Sequence, residues 1–458
     1  MDGSLPINNY CTCARRQKLL LNRNSTYLGS MLQQLNDRRT MNGWALFDWA
    51  NSAFALVITT AIFPPYFEAV IDKEFTALGM QFSNSSWLAF TISISYLIIA
   101  ALSPVLSGIA DAGGRRKFFL QAFTTIGGLG CLSLYFFQDM GDLWLGTIGF
   151  MLGLIGFAGG LVFYNSFLPV IATVDRFDKL SAKGFAMGYV GSVLLLILNL
   201  AMVLKPELFG IPDTGMATRL AFVTVGIWWL VFGYISFSRL PDDVRKKSAG
   251  LADVAKKGVE EFQSVWKKVK ASPQTLRFLG AFFSYSAGVQ TVIFLASLFA
   301  AKELGFETSE LIQVVLILQI VAIGGAYLAA SVSKRYGNKA AIYFQLVIWF
   351  CICLAGYFVQ GKSTFYGVAA AVGLVMGGIQ SMSRSTYAKL IPTREDVTSY
   401  FSFYDILEKM AIVMGTFIFA GLDLLTGSMR LSLLALSFFF AMGMIILWRF
   451  RLEEVETI

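Results

Sequence analysis

An aspartate, an asparagine and a serine sit close together inside the first apolar run of this chain, Trp44-Ala-Leu-Phe-Asp-Trp-Ala-Asn-Ser-Ala-Phe54. A carboxylate inside hydrocarbon costs at least about 2.5 kcal/mol, so it persists where it has a partner or a watery path. At helical spacing Asp48, Asn51, Ser52, Ala55 and Thr59 share a face. Either that stripe lines a solute pathway and Asp48 binds a coupling proton or a cationic group, or Asp48 makes a structural hydrogen bond or salt bridge near the helix end. Further along, Gln380, Ser383, Arg384 and Tyr387 share a face. Arg384 can hold a carboxylate or phosphate through its planar fork, or it anchors a helix end on the positively charged side. A third set is Asp405, Glu408 and Lys409. Asp405 and Lys409, one turn apart, can neutralise each other. That leaves Glu408 as a second candidate for proton coupling, or all three form a self-contained ion cluster. Asn165, Gln290 and Gln319 read as pathway ligands or as interhelical hydrogen bonds worth under about 1 kcal/mol. The chain has no histidine, which removes histidine-based catalysis, metal ligation and pH sensing.

These residues must be carried by membrane-crossing helices. The 458 residues are 56% hydrophobic and only 14% charged, against about 25% charged in soluble domains. Twelve apolar runs, near 44–67, 86–109, 118–137, 143–168, 184–204, 217–238, 277–300, 309–332, 340–360, 364–384, 400–421 and 430–449, are each close to the ~20 residues a bilayer core demands. The organisation expected is a tail (1–40, whose start is open to being over-extended), a six-helix bundle (41–240), a linker (241–275), a second bundle (276–452) and a short tail (453–458). With the N-terminus in the cytoplasm, thirty of the 37 Lys and Arg fall in cytoplasmic segments and six on the other side. This bias places both ends in the cytoplasm and explains the net charge of +8 without nucleic acid. The linker carries Leu251, Val254, Ala255, Val259, Phe262, Val265, Trp266 and Val269 at helical spacing among lysines. It predicts an amphipathic helix, lying on the cytoplasmic leaflet, packed as a strut between the halves, or both. Cys11 and Cys13, like Cys351 and Cys353, are too sparse for a zinc site, and no metal or cofactor is expected. Pro64-Pro65 and Pro104 should kink their helices. Glycine repeats such as Gly149/Gly153, Gly156/Gly160 and Gly184/Gly188 read as close-packing devices.

After the second run comes Ser107-Gly-Ile-Ala-Asp-Ala-Gly-Gly-Arg-Arg-Lys117. Asp111 at a helix end, Gly114 turning the chain, and Arg115 and Arg116 fit a tight loop whose acid meets the N-terminus of a neighbouring helix. Its arginines can hold groups across the interface, as a latch that releases in another conformation. The segment resembles the signature loop of the major facilitator superfamily. It departs from that pattern at Ser107, where the family has glycine, and at Ala112, where it has a basic residue. The second half repeats the loop in degenerate form, Ala330-Ser-Val-Ser-Lys-Arg-Tyr-Gly-Asn-Lys339, with Lys334 in place of the acid.

Trp44–Phe54, Asn165-Ser-Phe-Leu-Pro169, Gly184-Phe-Ala-Met-Gly-Tyr189, Gln380-Ser-Met-Ser-Arg-Ser-Thr-Tyr-Ala-Lys-Leu-Ile-Pro392 and Phe403-Tyr-Asp-Ile-Leu-Glu-Lys409 together resemble the bacterial relatives of the vacuolar, autophagy-related amino-acid effluxer family. The resemblance covers residues 41 to about 450. It implies an all-α membrane protein of twelve helices in two pseudo-symmetric six-helix bundles, with a central site lined mainly by spans 1, 4, 7 and 10. The function expected is secondary active transport of a small organic solute, amino acids among the candidates, coupled to a proton or sodium gradient. The protein would act as a monomer in the plasma (bacterial inner) membrane. A lipid or lysolipid carrier on the same fold is the alternative, and a membrane-embedded enzyme lacks its nucleophile and base.

Overall fold

The structure, a computed structural model, describes residues 35–243 and 251–452. Both tails beyond these limits, with Cys11 and Cys13, lie outside the described residues. Span α1 runs Arg38–Val70, opened by Asp37, whose carboxylate accepts from the Thr40 amide at 2.8 Å. Its middle stretch, Phe54–Ile62, is π-helical. Instead of a simple bend at Pro64-Pro65, the two missing N–H donors are absorbed upstream by a wider turn, and Thr60 Oγ1 donates to the Ala55 carbonyl at 2.9 Å. A hairpin follows, β1 (Glu74–Ala77) and β2 (Met80–Ser83), turning at Leu78 and Gly79, both at positive φ. Then come α2 (Asn84–Gly113), α3 (Arg116–Ser133), α4 (Leu143–Ser166), α5 (Phe177–Leu204) and α6 (Thr214–Phe237). Helix α2 continues through Pro104, and left-handed Gly114 (φ 60°) stops it.

The linker helix α7 spans Leu251–Ala271, and α8 spans Pro273–Leu304. Residues 308–358 read as one 51-residue helix broken at Gly337 (φ 84°, ψ 161°). At 1.5 Å per residue that is about 77 Å, more than twice a hydrocarbon core. The chain therefore doubles back, and Leu318 and Gly356 line the same small apolar cavity. We call the two arms α9 (308–336) and α10 (338–358). Spans α11 (Lys362–Lys389), α12 (Val397–Thr426) and α13 (Met429–Trp448) complete the second half. Twelve spans result, six on each side of α7. One end of the bundle, the linker face, carries α7 and the α2–α3 and α9–α10 turns. The opposite end, the far face, carries the hairpin.

Aromatic packing fills each half: Phe63 stacks on Phe150 at 4.1 Å in the first and Trp349 on Phe440 at 5.5 Å in the second. Close helix approach is set by glycine. A Cβ at Gly156 would lie 2.5 Å from Gly127 Cα, so α3 and α4 touch backbone to backbone. Along α5, Gly184, Gly188 and Gly191 accept Asp48, Ser52 and Trp49 of α1.

Candidate functional site

The two halves meet at Arg384, which lies in the last two turns of α11 and is 2% exposed. Its side chain leaves the second half and enters the first. Nη1 and Nη2 each donate to Asp48 Oδ2 at 3.3 Å. Nη1 also reaches Asn165 Oδ1 at 3.2 Å, Nε reaches Ser181 Oγ at 2.9 Å, and Nη2 reaches the Ser181 carbonyl at 2.9 Å. The guanidinium carbon sits 4.2 Å from the Phe185 ring centre, 4.7 Å from Trp44 and 5.4 Å from Tyr164. Tyr164 donates its hydroxyl hydrogen to Asp48 Oδ2 at 2.7 Å, and the Trp44 indole N–H is held by the Tyr164 carbonyl at 2.9 Å. Asp48 is thus a buried anion paired with a buried cation from the opposite half. Removing one member of such a pair costs about 3–5 kcal/mol, because the other is left uncompensated. Gly184 makes the space: a Cβ there would stand 2.5 Å from Asp48 Oδ2 and 2.9 Å from Arg384 Nη2.

Other polar contacts between the halves flank this pair. One turn deeper, Tyr189 donates to Gln380 Oε1 at 2.8 Å. Ser181 Oγ donates to the Ser381 carbonyl at 2.8 Å. On the α5 side, Asp178 accepts from Ser333 (2.9 Å), Asn338 (2.8 Å) and Lys389 (2.8 Å). On the α2 side, Asp111 accepts the backbone N–H groups of Thr398 (3.2 Å) and Ser399 (2.7 Å) in the first turn of α12, and pairs with Arg116 at 3.4 Å. Arg116 Nε also reaches Thr398 Oγ1 at 3.0 Å. The carboxylate of Asp111 thus sits at the positive end of a helix dipole. Among the described residues, the hydrogen bonds between the halves lie in their linker-side portions. The polar pairs near the far face, Glu310–Lys362 and Glu303–Arg430, stay within the second half.

The structure therefore brings Asp48, Asn165 and Arg384 together, with Gln380 beside them. Of the loop residues, Asp111 and Arg116 reach across. Gly114 turns the chain, Ser107 Oγ donates to the Pro104 carbonyl at 3.0 Å, and Arg115 precedes α3. Gln290, Asp405, Glu408 and Lys409 form a separate group inside the second half: Lys409 pairs with Asp405, and Gln290 Nε2 donates to Glu408 Oε1 at 2.9 Å. The expected stripe on α1 splits. Ser52 packs on Gly188, while Asn51 is fully buried with neither amide atom hydrogen-bonded. Residue type and spacing do not mark Trp44, Tyr164, Ser181, Gly184 and Phe185 as site residues. All except Ser181 fall in or beside the short strings that carry the family resemblance, and that is the available signal.

Helix α7 packs as a strut. Val265 and Val269 are fully buried, and Phe262 and Trp266 stack on Phe403 of α12 at 4.3 and 5.1 Å. Lys268 pairs with Asp396 just before α12, while Gly258 lies backbone to backbone against Gly108 of α2. The side chains of Leu251, Val254 and Ala255 lie outside the described residues. Lys256 and Lys267 stay exposed. At the exit of α6, Lys117 donates to Asp242 at 2.7 Å and holds that carboxyl below its usual range.

A twelve-span, two-bundle fold with its polar lock at the interface of the halves is that of a membrane transporter of the major facilitator class. The chain matches the profile described as "Vacuole effluxer Atg22 like" over residues 36–456 and belongs to that family. It is 31% identical over 418 residues to the MFS-type transporter YxiO of Bacillus subtilis (strain 168), covering 91% of this chain and 95% of that one. It is 26% identical over 465 residues to Autophagy-related protein 22 of Coccidioides immitis (strain RS), covering 83% and 74%. Among solved structures it resembles the transporter FucP in its outward conformation (TM-score 0.68, 12% identity, 90% of this chain and 99% of that one). It also resembles the proton:xylose symporter XylE (TM-score 0.65, 14% identity, 94% and 99%). These last two likenesses concern the fold.

Proposed function

We propose that this transporter moves a small organic solute of amino-acid type by alternating access, driven by a proton gradient. It would act as a monomer in the plasma (bacterial inner) membrane with both termini in the cytoplasm. The observation that carries this reading is the confinement of inter-half hydrogen bonds to the linker face, with the Asp48–Arg384 pair at their centre. Two bundles joined by polar contacts at one end can rock apart there and close at the other. The Lys and Arg bias makes the linker face cytoplasmic, so the state described is closed to the cytoplasm. Asp48 is engaged by Arg384 and Asp405 by Lys409, which leaves Glu408, partly buried and hydrogen-bonded by the neutral Gln290 amide, as the acid that can exchange a proton.

The test uses two pairs of spin labels on exposed residues, Asp175 with Arg335 across the linker face and Lys205 with Glu307 across the far face. Weakening the lock with Asp48→Asn should lengthen the first distance and shorten the second. If both lengthen, or neither moves, the rocking reading is wrong. In liposomes, Glu408→Gln should retain exchange of solute and lose accumulation driven by a proton gradient. Undiminished accumulation would remove Glu408 from coupling.

A further inference from the structure

Among the described residues, the hydrogen bonds and ring contacts of the Arg384 guanidinium all reach the half in which Arg384 does not reside: Trp44 and Asp48 on α1, Tyr164 and Asn165 on α4, Ser181 and Phe185 on α5. What they present is one carboxylate, neutral oxygen acceptors and three ring faces. The hydroxyl of Tyr164 is turned to Asp48, so it does not compete as a donor. Gly184 keeps the floor open, with no Cβ between Asp48 and the guanidinium. Acceptors plus aromatic faces around one anion make a receptor for an organic cation. Because it is built within a single half, a rigid-body rocking of the halves leaves it assembled when Arg384 withdraws.

We infer that, once the linker face opens, this vacated cage binds the cationic group of the transported solute, a guanidinium or primary ammonium, in the position Arg384 occupies in the closed state. The inference rests on the alternating-access reading and adds the class of solute to it. Withdrawal of Arg384 leaves Asp48 as a buried anion without its partner, a state that is strongly unfavourable. A proton would cancel that charge but leave Asn165, the two Ser181 oxygens and the three rings unserved. A cation with several N–H donors answers all of them. A solute of this kind binds the open state far better than the closed one, where Arg384 fills the site, and this difference is what lets it shift the equilibrium.

The test is chemical replacement of the arginine. Purified Arg384→Ala should be stabilised against thermal unfolding, by a few degrees, on adding methylguanidinium at millimolar concentration, and not by the neutral isostere N-methylurea. The double variant Arg384→Ala/Asp48→Asn should lose the discrimination. Equal effects of the two compounds, or discrimination that survives without Asp48, would overturn the inference. Should Arg384→Ala not fold, the wild-type protein labelled at Asp175 and Arg335 serves: methylguanidinium should enrich the long-distance population and N-methylurea should not, with no response when Gly184 is replaced by alanine. No response of the wild-type protein overturns it equally. If Asp48→Asn shifts the two label pairs in opposite senses and methylguanidinium does nothing, the rocking mechanism stands and the cation site falls.

Discussion

The two turns that close the linker face hold the opposite half in different ways. The α2–α3 turn carries its own acid, Asp111, and presents it to backbone N–H groups at the start of α12. The α9–α10 turn, its counterpart in the second half, has Lys334 at the acid's place, exposed to solvent. There the acid sits on the receiving helix instead. Asp178, in the first turn of α5, takes Ser333 and Asn338 from the turn and Lys389 from α11. One latch is a carboxylate on a helix dipole; the other is a carboxylate among side chains. The first has backbone N–H partners that only a proline on α12 could delete, whereas the second can be dismantled piece by piece. Arg384 crosses between them.

The largest effect should come from removing that crossing. Arg384→Ala leaves Asp48 buried without its cation, and the linker-closed state should lose about 3–5 kcal/mol relative to the open one. The label pair across the linker face should then show the long distance as its main population. The double variant Asp48→Asn/Arg384→Gln removes both charges and should recover much of the closed population. If Arg384→Ala leaves the distribution unchanged, the closed state is held by the two turns alone.

A smaller effect separates the turns. Asp111→Ala and Asp178→Ala each delete charged hydrogen bonds, and each should cost the closed state about 1.5–3 kcal/mol. They should differ in their suppressors. On the α5 side Lys389→Ala should lose most of its own effect once Asp178 is gone, since the two pair at 2.8 Å. On the α2 side no substitution of the Thr398 or Ser399 side chains other than by proline should mimic Asp111→Ala, because their amides do the binding. Cysteine accessibility at the linker face reads both series. A Thr398→Ala effect as large as that of Asp111→Ala would erase the distinction.

Much of this arrangement could be read in the sequence, and the limit is physical. Helix number, the two halves and the tight loop at Asp111 follow from hydropathy and turn chemistry, which are local. The Asp48–Arg384 pair is separated by 336 positions, and nothing in either segment says which acid meets which base. Asp48 reads as a pathway acid or as a salt-bridge partner, and Arg384 as an anion holder or as a helix-end anchor; in the closed state each is the other's ligand. Helical spacing puts Asn51 with Ser52, yet Ser52 packs on Gly188 of α5 while neither amide atom of Asn51 is hydrogen-bonded, a difference that spacing does not carry. The amphipathic pattern of α7 is equally suited to lipid or to protein. The structure shows the protein contact, with α2 and α12 offering Gly108 and Phe403 to it.

Among the described residues helix α7 packs against α2 and α12, beside the Asp111 turn, and this gives the smallest of the three effects a pH dependence. Glu261 of α7 faces Asp396, Lys268 and Asp111, and its carboxyl is pushed from 4.5 up to about 7, by burial first and by the Asp396 carboxylate second. Lys268 is raised above its usual value by its hydrogen bond to Asp396 and stays charged through this range. A docked α7 therefore holds on Glu261 a proton that a released α7 gives up. The contribution of that group to docking is fully present below pH 4.5 and fades as pH rises through about 7. Amide hydrogen exchange of residues 258–270, corrected for the intrinsic pH dependence, should show protection falling between pH 5.5 and pH 8. Glu261→Gln, neutral at every pH, should flatten the response. The first turn of α5, which α7 does not cover, should keep its protection across the same range. Equal loss at both turns would mean that the pH dependence belongs to the opening of the whole linker face rather than to the strut laid across one side of it.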